Sequence, residues 1–99
     1  MTVVRFASLK GRLYFSARGH SKDPRVCAAV SALAGTLAAW AVNFGKNPEH
    51  MEESGRVKVS FDETEDASSV FRFTELGFLE LQHNYKDDVR VISGNTAFI

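Results

Sequence analysis

From Val26 to Gly45 the chain runs for twenty residues without a charge, and it enters this stretch through Asp23-Pro24-Arg25. An uncharged run of that length either spans a bilayer or forms a helix covered on more than one side. The ends point to a helix with defined limits. Asp23 is a good N-cap, because its carboxylate can accept from the free N–H groups of the first turn. Pro24 falls at the first helical position, where its missing N–H costs nothing. Gly45 suits the position after the last turn, and Pro48 blocks continuation. The pattern therefore predicts a helix over Pro24–Phe44. Ser31, Gly35, Thr36, Asn43 and many alanines dilute it, whereas a spanning helix is richer in Leu, Ile and Phe. The expectation is a helix packed between a sheet and another helix, with no membrane role. Val26, Val30, Leu33, Leu37, Trp40 and Phe44 recur at four- and three-residue steps and make the stripe for the sheet. Cys27, Ala28, Ser31, Ala34, Gly35 and Ala38 form a second face of small residues, open to a second helix or a partner subunit.

The flanking segments supply the sheet. Thr2–Leu9 and Arg12–Arg18 alternate apolar and polar residues around Lys10-Gly11, a two-residue hairpin signal. Glu49–Ser54 is a weaker strand, turning at Ser54-Gly55 into Arg56–Phe61, where Val57, Val59 and Phe61 share a face. Asp62–Ala67 reads as an acidic linker. Ser68–Lys86 reads as a second helix with Val70, Phe71, Phe78, Leu81 and Tyr85 on one face. Leu76 and Leu79 point elsewhere, which predicts burial on more than one side. Gly77 costs this helix about 1 kcal/mol relative to alanine and marks a close contact. Val89–Ser93 is a last strand, and Gly94–Ile99 a tail that Phe98 and Ile99 can anchor. The order β-β-α-β-β-α-β in a 99-residue chain predicts one α+β domain over residues 1–99. It would be a two-layer sandwich of a mostly antiparallel sheet and two helices.

The only cysteine, Cys27, falls about one turn into the first helix, roughly 5 Å from its start. There the positive end of the helix dipole favours thiolate. On chemistry alone Cys27 can equally pack as a small hydrophobe. His20 closes the preceding strand, and the three intervening residues can span about 10 Å. Its ring can therefore fold back over the helix start, or stand free at the surface. Ser31, four residues after Cys27, shares its face and can bond back to the Cys27 carbonyl or shape a pocket floor. Besides capping the helix, Asp23 can orient His20 or work against thiolate formation. His50 and His83 with Cys27 make no zinc spacing, and no glycine set fits a phosphate loop. No metal and no cofactor are expected.

Gly19-His20, the short tract Ser21-Lys22, Asp23, and Val26-Cys27-Ala28-Ala29-Val30-Ser31 together resemble the ribosomal-processing cysteine proteases, small bacterial endopeptidases with a His/Cys pair. The likeness covers nearly the whole chain in element order and is specific from Gly19 to Ser31. It implies Cys27 as nucleophile, His20 as its base, and Asp23 in a supporting place shifted by one residue. The implied substrate is the N-terminal extension of a precursor of the large-subunit ribosomal protein numbered twenty-seven. The chemistry would be acyl transfer: His20 takes the thiol proton, Cys27 attacks a peptide carbonyl, and the thioester is hydrolysed. The chain departs from the family between His20 and Asp23. A longer, glycine-rich loop is usual there, and here only Ser21-Lys22 remains. This motivates a second expectation, a non-catalytic relative that binds peptides or acts in ribosome assembly on the same scaffold.

Charge narrows the partners. Lys+Arg and Asp+Glu are 12 each, so the chain as a whole is not drawn to nucleic acid or an anionic membrane. Glu52, Glu53, Asp62, Glu63, Glu65 and Asp66 crowd around the second hairpin, either as a solvated rim or as a seat for a basic peptide. A single cysteine excludes an internal disulfide and fits a reducing compartment. No basic segment followed by an apolar one opens the chain. The expected setting is the cytoplasm, and the expected assembly a homodimer through the small-residue helix face.

Overall fold

The computed structural model describes residues 1–94. Its elements are β1 (Thr2–Leu9), β2 (Arg12–Arg18), α1 (Pro24–Phe44), β3 (Glu49–Glu53), β4 (Arg56–Asp62), α2 (Glu65–Asn84) and β5 (Val89–Gly94). They build the expected α+β sandwich: two helices on a five-stranded sheet of order β3-β4-β2-β1-β5. The sheet is mixed. Three pairings are antiparallel, and β5 runs parallel to β1 at the far edge. Lys10 and Gly11 close the first hairpin with φ of 51° and 76°, the two positive values that a tight two-residue turn requires. The expected anchoring of the tail by Phe98 and Ile99 lies outside the described residues.

Alternation sorts the strands. Val4, Phe6, Leu13, Phe15, Ala17, Val59 and Phe61 are buried under the helices. Phe6 stacks edge-on with Phe15, Phe71 and Phe78 at 5.1–5.8 Å, and Trp40 meets Phe61 at 5.3 Å. Such edge-to-face pairs add to the burial of the rings themselves. α1 is long and apolar enough to cross a membrane, but it lies along the sheet with Val26, Leu37 and Ala41 buried. The helices touch where glycine allows it: a methyl added at Gly77 would sit 3.0 Å from Leu33 Cδ2.

Four expectations shift. α2 starts at Glu65, not Ser68, because Thr64 caps it by accepting from the Ala67 N–H at 3.1 Å. Glu65 and Asp66 then lie in the first turn, where the helix dipole favours carboxylates. Half of the supposed acidic linker is therefore helix. Second, α2 is buried on one side only: Phe73 and Leu76 are 78% and 63% exposed. Third, the stripe of α1 ends at Ala41, leaving Phe44 exposed beyond the edge of the sheet. Fourth, Gly45 ends α1 with φ −74°, not a left-handed value. A side chain there would meet the Ala41 carbonyl oxygen at 2.6 Å, so the position needs glycine for space.

Candidate active-site cleft

The cleft exists because α1 does not lie down on the edge strand. Among the described residues β3 is paired only with β4, and its inward residues His50 and Glu52 stay exposed. Between them and α1 opens a cleft of about 470 Å³. Its helix wall is the small-residue face, with Ser31, Ala34, Gly35 and Ala38, and Cys27 stands at one end. His20, Gly55, Glu52 and Glu53 also line the cleft.

The start of α1 is built as the sequence predicts. Asp23 is the N-cap, accepting from the Arg25 N–H at 2.9 Å, with Pro24 following. Its carboxylate also takes the Arg25 guanidinium at 2.8 Å. The side-chain bond from Arg25 holds the Asp23 carboxyl below its ordinary pKa, helped by the backbone bond. Asp23 thus serves the helix start and Arg25. Arg25 in turn stacks over the Tyr85 ring at 5.7 Å.

Cys27 lies one turn in and is half-buried. Its thiol donates to the Ser21 carbonyl at 3.4 Å. Ser21 is held in place by its own hydroxyl, which donates to the Asp88 carboxylate at 2.9 Å and accepts from the Asp23 N–H at 3.1 Å. The two-residue tract is therefore pinned to the connection between α2 and β5. His20 is exposed, and its ring lies over Gly55: a methyl added at Gly55 would meet Nε2 at 2.5 Å. The Gly19 N–H donates to the Gly55 carbonyl at 2.9 Å and ties the strand end to the hairpin turn. Gly19 and Gly55 have φ of 99° and 72°, values that favour glycine.

The fold brings Cys27, His20 and Ser31 to one cleft. Among the described residues, Ser31 makes no bond back to the helix; its exposed hydroxyl lines the cleft wall. The acidic cluster divides. Glu52 and Glu53 border the cleft, while Asp62 lies at the other end of β4, about 20 Å away along the strand. Asp62 binds Arg12 at 2.8 Å and Asn47 at 2.7 Å. Sequence reasoning missed Asp88 and Gly55. The Ser54-Gly55 turn was visible, but its place beside His20 depends on the β2–β4 pairing. Nothing local marks Asp88. His83 lies at the end of α2, in another element, and no group of three His, Cys, Asp or Glu among the described residues is placed to hold a metal.

A family model described as cysteine protease Prp matches residues 1–90. No curated protein matches the chain. Among solved structures, the ribosomal processing protease Prp of Staphylococcus aureus with a covalently linked product peptide superposes with a TM-score of 0.79 at 17% identity. That match covers 94% of this chain and 99% of the other. The same protease with a substrate peptide gives 0.80 at 13% identity, with the same coverage. A Streptococcus mutans protein gives 0.72 at 22% identity, covering 97% and 99%. At these identities the likenesses establish the shared fold.

Proposed function

The chain belongs to the cysteine protease Prp family, and we propose that it removes the N-terminal extension of a large-subunit ribosomal protein, with Cys27 as nucleophile and His20 as base. The observation that carries this reading is the cleft: the lone thiol at the start of α1 and an exposed imidazole share its walls. His20 Nε2 or Nδ1 takes the thiol proton, and the sulfur adds to the scissile carbonyl. The protonated ring then gives its proton to the leaving amine, and water hydrolyses the thioester. For this, the thiol gives up the Ser21 carbonyl, and the ring turns from Gly55 toward the sulfur. Apo geometry of this kind tightens on substrate binding. Glu52 and Glu53 suit a peptide bearing Lys or Arg, as expected of a ribosomal protein. The small-residue wall of α1 lets an extended main chain lie close. Asp23 and Ser31 act here as supports, one holding the helix start and the other shaping the wall.

The test is cleavage of the protein's own ribosomal precursor. Wild type removes the extension, and Cys27→Ala, folded, leaves it intact. Uncut precursor with wild type would sink the reading. The Cys27–Ser21 contact favours a second reading, a peptide-binding relative without turnover in the same cleft. Alkylation of Cys27 separates the two. A working pair reacts well below the ordinary thiol pKa of about 8.5, and His20→Ala slows it. A high-pH profile indifferent to His20→Ala selects the binding module. A homodimer through the small-residue face would compete with peptide for that wall. Sedimentation with and without bound precursor reads that competition.

A further inference from the structure

We propose that the helix-free face of the sheet is a binding surface for the phosphate backbone of a single RNA strand. The chain's net charge is zero, but the charges are segregated by the strand alternation. The ladder sets Arg90, Val3, Arg18 and Arg56 side by side across β5, β1, β2 and β4. The adjacent row is Ile92, Arg5, Ser16 and Lys58. With strands about 4.8 Å apart and rows about 7 Å apart, five cationic side chains share a patch about 15 Å wide. Their side chains alternate with the inward-facing residues of each strand and project from the side away from both helices, while Arg18 and Arg56, at the strand ends, also border the cleft.

The arrangement is unfavourable by itself. Arg18 and Arg56 are direct cross-strand partners, and like charges placed so destabilise a ladder; on its other side Arg56 faces Glu53 of β3, which closes the row with an opposite charge. Arg12, on the same face, has Glu49 at 3.1 Å and Asp62 at 2.8 Å. Among the described residues, Arg18, Arg56, Lys58 and Arg90 have no such ion pair. Between the strands lies a shallow concavity of about 560 Å³ lined by Arg5, Ser16, Arg18, Arg56 and Lys58. An anion with regularly spaced charge relieves the repulsion at Arg18, Arg56, Lys58 and Arg90 together.

A nucleic-acid strand fits better than an acidic peptide. The charges form a flat, repeating grid, and the guanidinium fork matches phosphate geometry. Half-buried Val3 and Ile92 lie among them as apolar contacts for sugars and bases. Open sheets serve as platforms for single strands in this way. The choice of RNA over DNA rests on the proposed ribosomal substrate, which is met among RNA; the phosphate chemistry does not. The cleft opens on the other side of the sheet and shares Arg18 and Arg56 with this face, whereas Lys58 and Arg90 lie outside its walls.

The test is fluorescence anisotropy of a labelled single-stranded RNA of mixed sequence, titrated with the full chain at low and fourfold higher salt. Four phosphate contacts on a single strand predict a loss of affinity of roughly fiftyfold across that range. Lys58→Gln and Arg90→Gln should each lower the logarithmic salt slope by about 0.7. Thermal midpoint and precursor cleavage should stay unchanged. A flat salt dependence, or binding indifferent to the double variant, overturns the proposal. Equal binding of a poly-glutamate peptide reassigns the face to an acidic protein and overturns it. So does a dimer that the double variant dissociates in the absence of RNA. Because no cleavage is read in the titration, failure of the protease reading leaves its result intact.

Discussion

The two faces of this sheet come from the same strands, residue by alternate residue, and they do opposite work. One face is aromatic and covered: Phe6, Phe15 and Phe61 are 2% exposed or less, locked beneath Phe71, Phe78 and Trp40. The other carries Arg5, Tyr14, Ser16, Arg18 and Lys58 and, among the described residues, has no helix over it. Stability is concentrated on the first. The second is free to accept charges that burial would forbid. The cleft lies where this division fails, at β3, whose inward residues His50 and Glu52 remain uncovered. A cleft can thus arise where a helix is too narrow for its sheet.

The largest test of the contrast uses neighbours on β2. Phe15→Ala should cost about 4 kcal/mol in urea unfolding, because it empties the centre of the aromatic cluster. Tyr14→Ala, next along the strand and on the open face, should cost less than about 1 kcal/mol. Equal losses would break the division between the faces. A smaller effect is expected at the cleft. Gly55→Ala puts a methyl into the His20 ring and should lower kcat/KM about tenfold, which is 1.4 kcal/mol of transition-state free energy. If the ring position matters, the pH profile should move with it. An unchanged profile and rate would show that catalysis does not depend on that seat.

The smallest effect belongs to the rim of the open face. The Asp62 carboxyl is held below its ordinary pKa chiefly by the Asn47 amide, with Arg12 adding to the same effect. A carboxyl depressed on folding contributes stability that is complete above its unfolded pKa and is lost as pH falls through the folded one. Acid titration of the thermal midpoint should therefore show a shallow loss below the ordinary aspartate range. Asn47→Ala should flatten it. An acid limb of unchanged depth would place the effect on other carboxylates, Asp23 with its Arg25 partner first among them.

Much of this molecule is legible along the chain. Asp23-Pro24 marks the start of α1, and the period-two pattern assigns which residues of β1, β2 and β4 face inward. Gly77 signals the close approach of the helices before any contact is seen. The start of α2 was also present, in Thr64 followed by Glu65 and Asp66, but the run of acid masked a cap as a linker. The site is less legible. Cys27 and His20 are conspicuous by type, yet the Asp88 carboxylate that pins Ser21 is sixty-seven residues away, with no pattern to join them. Gly55 shows itself as a turn and conceals that it is the floor under an imidazole.

What the amino-acid order determined alone is what local period and local capping govern: seven elements, the inward faces of β1, β2 and β4, and a lone sulfur one turn into a helix. These follow because backbone hydrogen bonding and side-chain alternation act over a few residues. Tertiary structure alone decided how the two hairpins and β5 pair with one another. That choice joined the turn at Gly55 to the end of β2, left β3 without a covering helix, and set Arg18 opposite Arg56. Strand pairing is settled by the packing of the whole core, and no short stretch of chain contains that information.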